Sequence, residues 1–504
     1  MATALTASVQ APWPVNPLNH EKRITSGPLG RLRLGDRSNS VPVMSRMFIL
    51  SASGSDSADQ QISNVTTYLK ERSNGRDDGL LEKLASSLAQ CPALLAWKAA
   101  VPASSHQQLI SYLEQGRFRP TRTTQPPKLG FIFSGVGGQY HSMGRELMRD
   151  YDVFATAIEK ADKHLKALGA EWSLKDELYK DTASSSPSII NRVDVAIPAT
   201  TAIQIGLVLL LRSWNITPVA VNANSTGETA AAFTAGAFDF ETSIFIAFQR
   251  GTIAGKVKEK RPDLKGAVLA IGSTSSEIRP LLKVLVKGRL DIGAILGPNL
   301  ISVAGDEPAV CELQEMLKSR NVFCKRTPMQ LAYHSFHMHS VAPDFLTALQ
   351  DIQPQDVKDG PTFYSSLAGQ RIDSTKSLTS AYWVYNLLGQ VNLLDAELTL
   401  CNEQHLGQTP GEIDALIEIG PHPTFKKPVN DILKSHPWGE NVRYLSTLER
   451  GKDAISALQE LACELFAIGY PLDVAAVNSV TKEVDNRGML ADLPAYIACR
   501  YCKY

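Results

Sequence analysis

The sequence predicts an α/β protein built from more than one part, and three observations carry that expectation. Its 504 residues are too many for one compact domain at about 100–200 residues each. Helical stretches alternate with short apolar, β-branched runs along most of the chain. Between about residues 266 and 330 the alternation runs strand, helix, strand, strand, helix, strand, the order of a ferredoxin-like split unit, expected here as a subdomain at about 264–330 inserted in a larger α/β body.

Taken in order, residues 1–46 hold six basic and two acidic residues among many Ser, Pro and Gly, the composition of a disordered leader. Arg-rich and acid-poor is also the signature of a transit peptide. Prolines interrupt any amphipathic helix there and no secretory apolar core is present, so the expected location is the cytoplasm. Residues 47–127 read as a small α/β module: a strand at Met47–Ser51, helices near 56–73 and 78–90, a strand at Leu95–Pro102 and a helix near 105–115. The segment RFRPTRTTQPP (117–127) reads as a linker. Leu129–Phe133 then opens the body, expected over 128–440. Its longest uncharged apolar stretch, Val195–Leu211, contains Pro198, Thr200, Thr201 and Gln204 and falls short of the roughly 20 residues of a membrane span, so it predicts a buried helix. Residues 441–504 are expected to trail away, with one amphipathic helix near Ala454–Phe466 followed by polar coil.

Composition narrows the functional classes. With 51 basic against 51 acidic residues the chain has no electrostatic footprint for nucleic acid or for a membrane surface. Seven scattered cysteines suit reduced thiols better than a disulfide framework.

The most informative window is PVAVNANSTGETAAAFTAG (218–236). A β-branched run leads into small-x-Ser-x-Gly (Ala223, Asn224, Ser225, Thr226, Gly227) and then an Ala-rich helix. A sharp strand-to-helix turn holds a nucleophile in strained backbone geometry, which requires small residues two positions either side of it; this is the nucleophile elbow of α/β-hydrolase-like folds. The turn places Ser225 at a helix N-terminus, and the backbone N–H of Thr226 becomes a natural oxyanion donor. The same five residues also fit an ordinary N-cap serine with Thr226 and Glu228 as incidental neighbours. Three further windows supply context. FIFSGVGGQ (131–139) is a strand running into a Gly-rich turn, without the Gly-Lys-Ser/Thr of a phosphate loop or the third glycine of a dinucleotide fingerprint. AYHSFHM (332–338) carries His334, a candidate general base. IFIAFQRG (244–251) carries Arg250, either an interface ion-pair partner or a clamp for a substrate carboxylate. His334, His337 and His339 lie close together, but no carboxylate or cysteine joins them, so no metal site is expected and His337 and His339 read as surface or pocket-rim residues. Cys499-x-x-Cys502 lacks a second half for zinc or a βαβ setting for redox chemistry.

In this order the windows resemble the malonyl-CoA:acyl-carrier-protein acyltransferase domain of type I polyketide and fatty acid synthases, the fungal reducing type in particular. The resemblance covers roughly Met47 to Tyr496. MFILSASG and LLAWKAAVPAS are similar to the linker that precedes the domain, FIFSGVGGQYHSMGREL to its opening, and LLRSWNITPVAVNANSTGETAAAFTAGA to its elbow. YWVYNLLGQV and IEIGPHP resemble late segments, and RYLSTLERGKDAISAL with ADLPAY the linker that follows. It implies an α/β-hydrolase-like acyltransferase body with the ferredoxin-like insert, behind a linker module. It also implies a two-step exchange: Ser225 attacks an acyl-CoA thioester with His334 as general base, the oxyanion rests on the N–H groups of Thr226 and Val136, and the acyl group passes to the phosphopantetheine thiol of a carrier protein. Arg250 would clamp the free carboxylate of malonyl-CoA, Gln139, Asn224 and Tyr333 would line the substrate site, and a backbone carbonyl near Gly389 would steady the imidazole. Tyr333, a bulky aromatic before the histidine, implies malonyl over methylmalonyl. No bound cofactor is implied, only acyl-CoA as substrate.

The chain departs from the family where Gly-His-Ser is usual and Ala223-Asn224-Ser225 stands, and where Gln is usual and Val136 and Ile197 stand. Two other readings follow: a serine hydrolase that releases acyl groups to water, and a synthase-derived scaffold with impaired catalysis. The sequence holds no ketosynthase-like cysteine segment, carrier-type serine motif or reductase fingerprint, so the expected partner is a carrier protein or polyketide synthase supplied in trans.

Overall fold

The computed structural model describes residues 45–479 except 73–78, 90–94, 124, 181–186, 328–330, 358–359 and 403–412, and also Leu490 and Leu493. The expected leader up to residue 44 and the Cys499/Cys502 pair lie outside the described residues. Strand β1 (Arg46–Ala52), buried along its whole length, pairs antiparallel with β2 (Trp97–Ala103), which pairs antiparallel with β3 (Thr121–Arg122). Helices Ser55–Arg72, Leu80–Ala89 and His106–Glu114 pack on this sheet, close to the spans the apolar periodicity predicts.

The body begins with β4 (Leu129–Phe133), parallel to β5 (Ala220–Ala223). Between them runs the long helix Val193–Ser213; most of its apolar surface is buried inside the protein, so it is a core helix, as its polar interruptions predict. The insert supplies β6 (Gly266–Ile271), β7 (Leu290–Gly297), β8 (Leu300–Asp306) and β9 (Cys324–Arg326), with helices Ser275–Leu282 and Glu307–Ser319 between them. The chain then returns through β10 (Thr362–Ser365), β11 (Gln370–Arg371), β12 (Val391–Asn392), β13 (Ala415–Ile419) and β14 (Arg443–Ser446). The body sheet has the order β11-β10-β5-β4-β13-β14 and is parallel except for β11. The insert sheet has the order β12-β7-β8-β6-β9; its last four strands are antiparallel neighbours in the ferredoxin-like arrangement, and β12 adds on parallel to β7. Both faces of the central strands are covered, which is why β4, β5 and β13 are buried throughout and read as continuous apolar runs.

The expected boundary at residue 440 is corrected by strand pairing. Residues 415–418 of β13 are in parallel register with 443–446, so β14 is the edge strand of the body sheet and not part of a trailing linker. Its four residues are too short and too half-buried to carry a strong period-2 signal. The helix Ala454–Ala467 then packs on β1 and β2 and on the body helix Arg145–Asp150. Gln459 Nε2 donates to Ser45 O at 2.8 Å, and the Asn478 side chain bridges the N–H and C=O of Met47 at 2.8 and 2.9 Å. The segment after the body thus fastens the first module to it.

Loops at the carboxyl ends of β4 and β5 meet, the usual place for a site in an open parallel sheet. After β5 the chain turns through a 3-10 turn at Ser225–Gly227 into helix Glu228–Thr234. Gly227 is required there: a Cβ would lie 2.5 Å from Phe133 O and 2.7 Å from Ser134 O, backbone atoms at the end of β4. Gly227→Ala should therefore destabilise the protein by about 1–3 kcal/mol, seen as a lower urea midpoint at unchanged slope.

Candidate active site

Ser225 sits at the top of β5 with φ +53°, in the left-handed region, where a non-glycine residue is strained and held by its surroundings. Ala223 and Gly227, the two small positions of the motif, are fully buried on either side of it. His334 shares this strain, with φ +57°, on the segment that leads from the insert back into the body. Ser225 Oγ and His334 Nε2 are 2.7 Å apart, and His334 Nδ1 lies 2.9 Å from Gly389 O. Because a carbonyl can only accept, Nδ1 carries the proton and Nε2 is the acceptor for the serine hydroxyl. Burial, helped by the nearby Arg250 charge, pulls the imidazole pKa down to about 3 against the pull of Gly389 O, so the ring is a neutral base at physiological pH. The arrangement is a serine–imidazole pair oriented by a backbone carbonyl, as a nucleophile and base require.

Arg250 comes from helix Phe240–Gly255 and is 1% exposed. Its Nη2 lies 3.3 Å from Ser225 Oγ and 3.4 Å from Asn386 O, and its Nη1 donates to Asn386 Oδ1. No carboxylate among the described residues lies within ion-pair distance of it, so the interface ion-pair reading is set aside. Burial lowers its pKa to about 10, which still leaves it charged at neutral pH. Asn386, on helix Ser380–Leu388, passes its Nδ2 to Glu228 Oε2 at 2.7 Å. Glu228 also accepts from Tyr382 Oη at 2.6 Å, Ser366 N at 2.7 Å, Ser366 Oγ at 2.8 Å and Leu367 N at 3.4 Å.

The remaining expected residues fall into place unevenly. Val136 N–H, expected as an open oxyanion donor, instead donates to Thr226 Oγ1 at 3.0 Å; the hydroxyl of the neighbouring elbow residue reaches the same space. Thr226 N–H is the first amide after Ser225, at the opening of the 3-10 turn, where an amide has no partner one turn back. Gln139 is half-buried at the rim, where its Oε1 accepts from Gly137 N at 2.6 Å and its Nε2 faces Asn191 Oδ1 at 3.2 Å; it holds the turn's shape rather than reaching Ser225. The Asn224 amide abuts Gly135, and its Oδ1 is buried without a hydrogen-bond partner. Tyr333 is buried beside Arg250, its hydroxyl without a partner and its pKa pushed up by that burial. Ile197 is buried on the core helix Val193–Ser213. His337, expected at a surface or pocket rim, is 2% exposed, with its Nε2 2.8 Å from Asp306 Oδ1, and ties the 3-10 turn Phe336–Ser340 to the end of β8. No group of three metal-ligating side chains occurs among the described residues.

Sequence reasoning missed Asn386 and Glu228 as site residues. Glu228 follows Gly227 directly and Asn386 lies in YWVYNLLGQV, but neither motif says that their side chains meet. It also missed the braces of the Gly-rich turn. Gln204 Nε2 donates to Ser134 O at 2.7 Å and Ile419 O at 3.0 Å, and Arg450 Nη2 donates to Gln139 O at 2.8 Å while its guanidinium lies over the Tyr140 ring.

Comparison with known proteins places this geometry. The family described as the acyl transferase domain matches residues 130–470. The reducing polyketide synthase PKS1 of Cochliobolus heterostrophus is 36% identical over 464 residues, 92% of this chain and 18% of that protein. The squalestatin tetraketide synthase of Phoma sp. is 33% identical over 464 residues, 90% of this chain and 18% of its own length. The chain thus spans under a fifth of these curated relatives. Among solved structures, the acyltransferase domain of ZmaA superposes with a TM-score of 0.76 at 22% identity, covering 91% of this chain and 100% of that one. The acyltransferase domain from module 8 of the salinomycin polyketide synthase gives 0.72 at 23% identity, covering 86% and 98%. These two likenesses establish the fold. The family match over residues 130–470 makes the chain a member of the acyl transferase domain family, and so an acyltransferase.

Proposed function

We propose that the protein moves a malonyl unit from CoA to the phosphopantetheine thiol of an acyl carrier protein in polyketide biosynthesis, through an acyl-enzyme on Ser225. One observation carries the reading: Ser225 Oγ stands 2.7 Å from a neutral imidazole and 3.3 Å from a buried guanidinium that has no carboxylate within ion-pair distance among the described residues. The first group makes the hydroxyl a nucleophile. The second selects an acyl group that brings its own carboxylate.

In the first step Ser225 Oγ bonds to the thioester carbon and its proton passes to His334 Nε2, with Gly389 O supporting the imidazolium that forms. The thioester oxygen becomes an oxyanion held by the N–H of Thr226 and by that of Val136, which exchanges a neutral hydroxyl acceptor for a charged and stronger one. The carbon–sulfur bond breaks, CoA leaves as its thiol with the proton from His334, and the malonyl ester remains on Ser225. In the second step the carrier thiol gives its proton to His334, its sulfur bonds to the ester carbon, and Ser225 leaves with the proton returned. Arg250 holds the malonyl carboxylate throughout, and the buried Tyr333 ring fills space beside the reacting carbon, which favours malonyl over methylmalonyl. The acceptor is a carrier outside residues 1–504, and we place the reaction in the cytoplasm, a setting that suits the free thiols of Cys311, Cys324, Cys401 and Cys463.

Incubation with malonyl-CoA should add one malonyl group to the chain by intact mass, and Ser225→Ala should take up none; labelled Ser225→Ala would displace the nucleophile. CoA release should depend on added carrier protein, and equal release without it would favour a hydrolase. Replacing Arg250 by Ala should lower malonyl loading relative to acetyl loading by about 30-fold or more in competition between the two thioesters.

The depressed imidazole fixes the sign of the pH dependence. Loss of the base needs protonation of Nε2, and with a pKa of about 3 that lies far below neutrality. The acylation rate at pH 5.5 should stay within about twofold of that at pH 7.5, where an ordinary imidazole would lose about tenfold. Burying His334 neutral also acts against the fold as pH falls from about 6.5 toward 3, because the unfolded ring takes up the proton first.

A further inference from the structure

Arg250 poses a question that the two-step reaction leaves open. A guanidinium 1% exposed is expected to be paired with a carboxylate, and a buried carboxylate, Glu228, stands nearby at 0% exposure. Yet the two are separated by one neutral side chain. Arg250 Nη1 donates to Asn386 Oδ1, and Asn386 Nδ2 donates to Glu228 Oε2 at 2.7 Å. The amide's orientation is forced from both ends, because a guanidinium has only donors and a carboxylate binding Asn386 has only an acceptor to offer. Glu228 is itself immobilised by Ser366, Leu367 and Tyr382, whose five hydrogen-bonding groups, counted with Asn386, all converge on its two oxygens. Asn386 is 3% exposed, so its amide depends on these protein partners rather than on solvent.

We propose that Asn386 and Glu228 are positioning residues for acyl selection: Asn386 is a neutral spacer, locked in orientation by Glu228, that holds the Arg250 guanidinium in place while keeping it out of direct contact with the Glu228 carboxylate. The inference rests on Arg250 being the carboxylate clamp. Asn386 takes up Nη1 of the planar fork through its side chain and meets Nη2 through its main-chain O at 3.4 Å. The opposite edge remains for the substrate: Nε is buried without a hydrogen-bond partner, and Nη2, 3.3 Å from Ser225 Oγ, marks where the acyl group attaches. A carboxylate two carbons from the reacting centre can take that edge in a bidentate pair. A direct Arg250–Glu228 pair would hold the guanidinium as firmly but would satisfy its charge before substrate arrives. The spacer also keeps the buried positive charge close to its compensating group, so the cost of burial is shared across a connected network.

The test uses the full chain, with malonyl-CoA and acetyl-CoA competing at equal concentration, the two acyl-enzymes counted by intact mass and folding followed by thermal melting. Asn386→Asp keeps the side chain's shape and sets a carboxylate against Arg250; the malonyl-to-acetyl ratio should fall at least about tenfold. Glu228→Gln keeps its shape too, but puts an NH2 where Asn386 needs an acceptor, so the Asn386 amide loses its fixed orientation and the ratio should fall at least about threefold. A folded Asn386→Asp protein with the wild-type ratio overturns the proposal, and so does a folded Glu228→Gln protein with that ratio. Failure of both to fold also overturns it, since these residues would then hold the structure together rather than position the guanidinium. If the wild-type chain itself shows no preference for malonyl, it is the clamp reading of Arg250 that falls, a result these variants do not produce.

Discussion

A charged guanidinium buried beside the reactive serine is the constraint around which the site is organised. Burying an unpaired ion costs several kcal/mol even after relaxation, and Arg250 keeps its charge because it is wired into neighbours that share that cost. Burial holds His334 neutral and the same charge adds to it, so the group that can select the acyl unit also supports the state of the base. Glu228, fully buried, and Tyr382, half-buried beside it, belong to the same network, and burial raises the pKa of both.

Three separate stretches of chain must meet for this to work, and the fold brings each by a different route. The parallel sheet delivers Ser225 at the end of β5, with the turn after β4 beside it. The core of helices delivers Arg250 against the long apolar helix Val193–Ser213. The insert, closing its own small core, returns the chain to His334, whose ring then finds Gly389 O at the end of helix Ser380–Leu388. Both Ser225 and His334 sit in left-handed backbone conformations, and such strain persists only where the surrounding packing over-determines it.

The segments outside the sheet serve the site at a distance. Strand β14 closes one edge of the body sheet, and the residues after it reach back: Thr447 Oγ1 meets Glu418 O and Gly420, and Arg450 secures the carbonyl of Gln139 on the turn that carries Val136. The helix Ala454–Ala467 then grips the first module, with Gln459 donating to Ser45 O and the Lys98 ammonium over the Phe466 ring. What composition presents as a trailing linker is therefore a clasp between two parts of the molecule.

Much of this was legible in the residues. The ferredoxin-like order of the insert, the buried helix at 193–213, the first module and the elbow around Ser225 all follow from local periodicity and from small residues at fixed offsets, signals that act over a few positions. The bond from Val136 N–H to Thr226 Oγ1, strand β14, the burial of His337 and the Arg250–Asn386–Glu228 chain did not follow, because each depends on contacts between residues far apart in sequence: 90 positions separate Val136 from Thr226 and 158 separate Glu228 from Asn386. The sequence by itself determined which chemical groups are present and the local turn that exposes Ser225. Only the tertiary structure decided that the buried guanidinium beside it would face an amide instead of a carboxylate, since charge pairing is set by distance and burial in three dimensions.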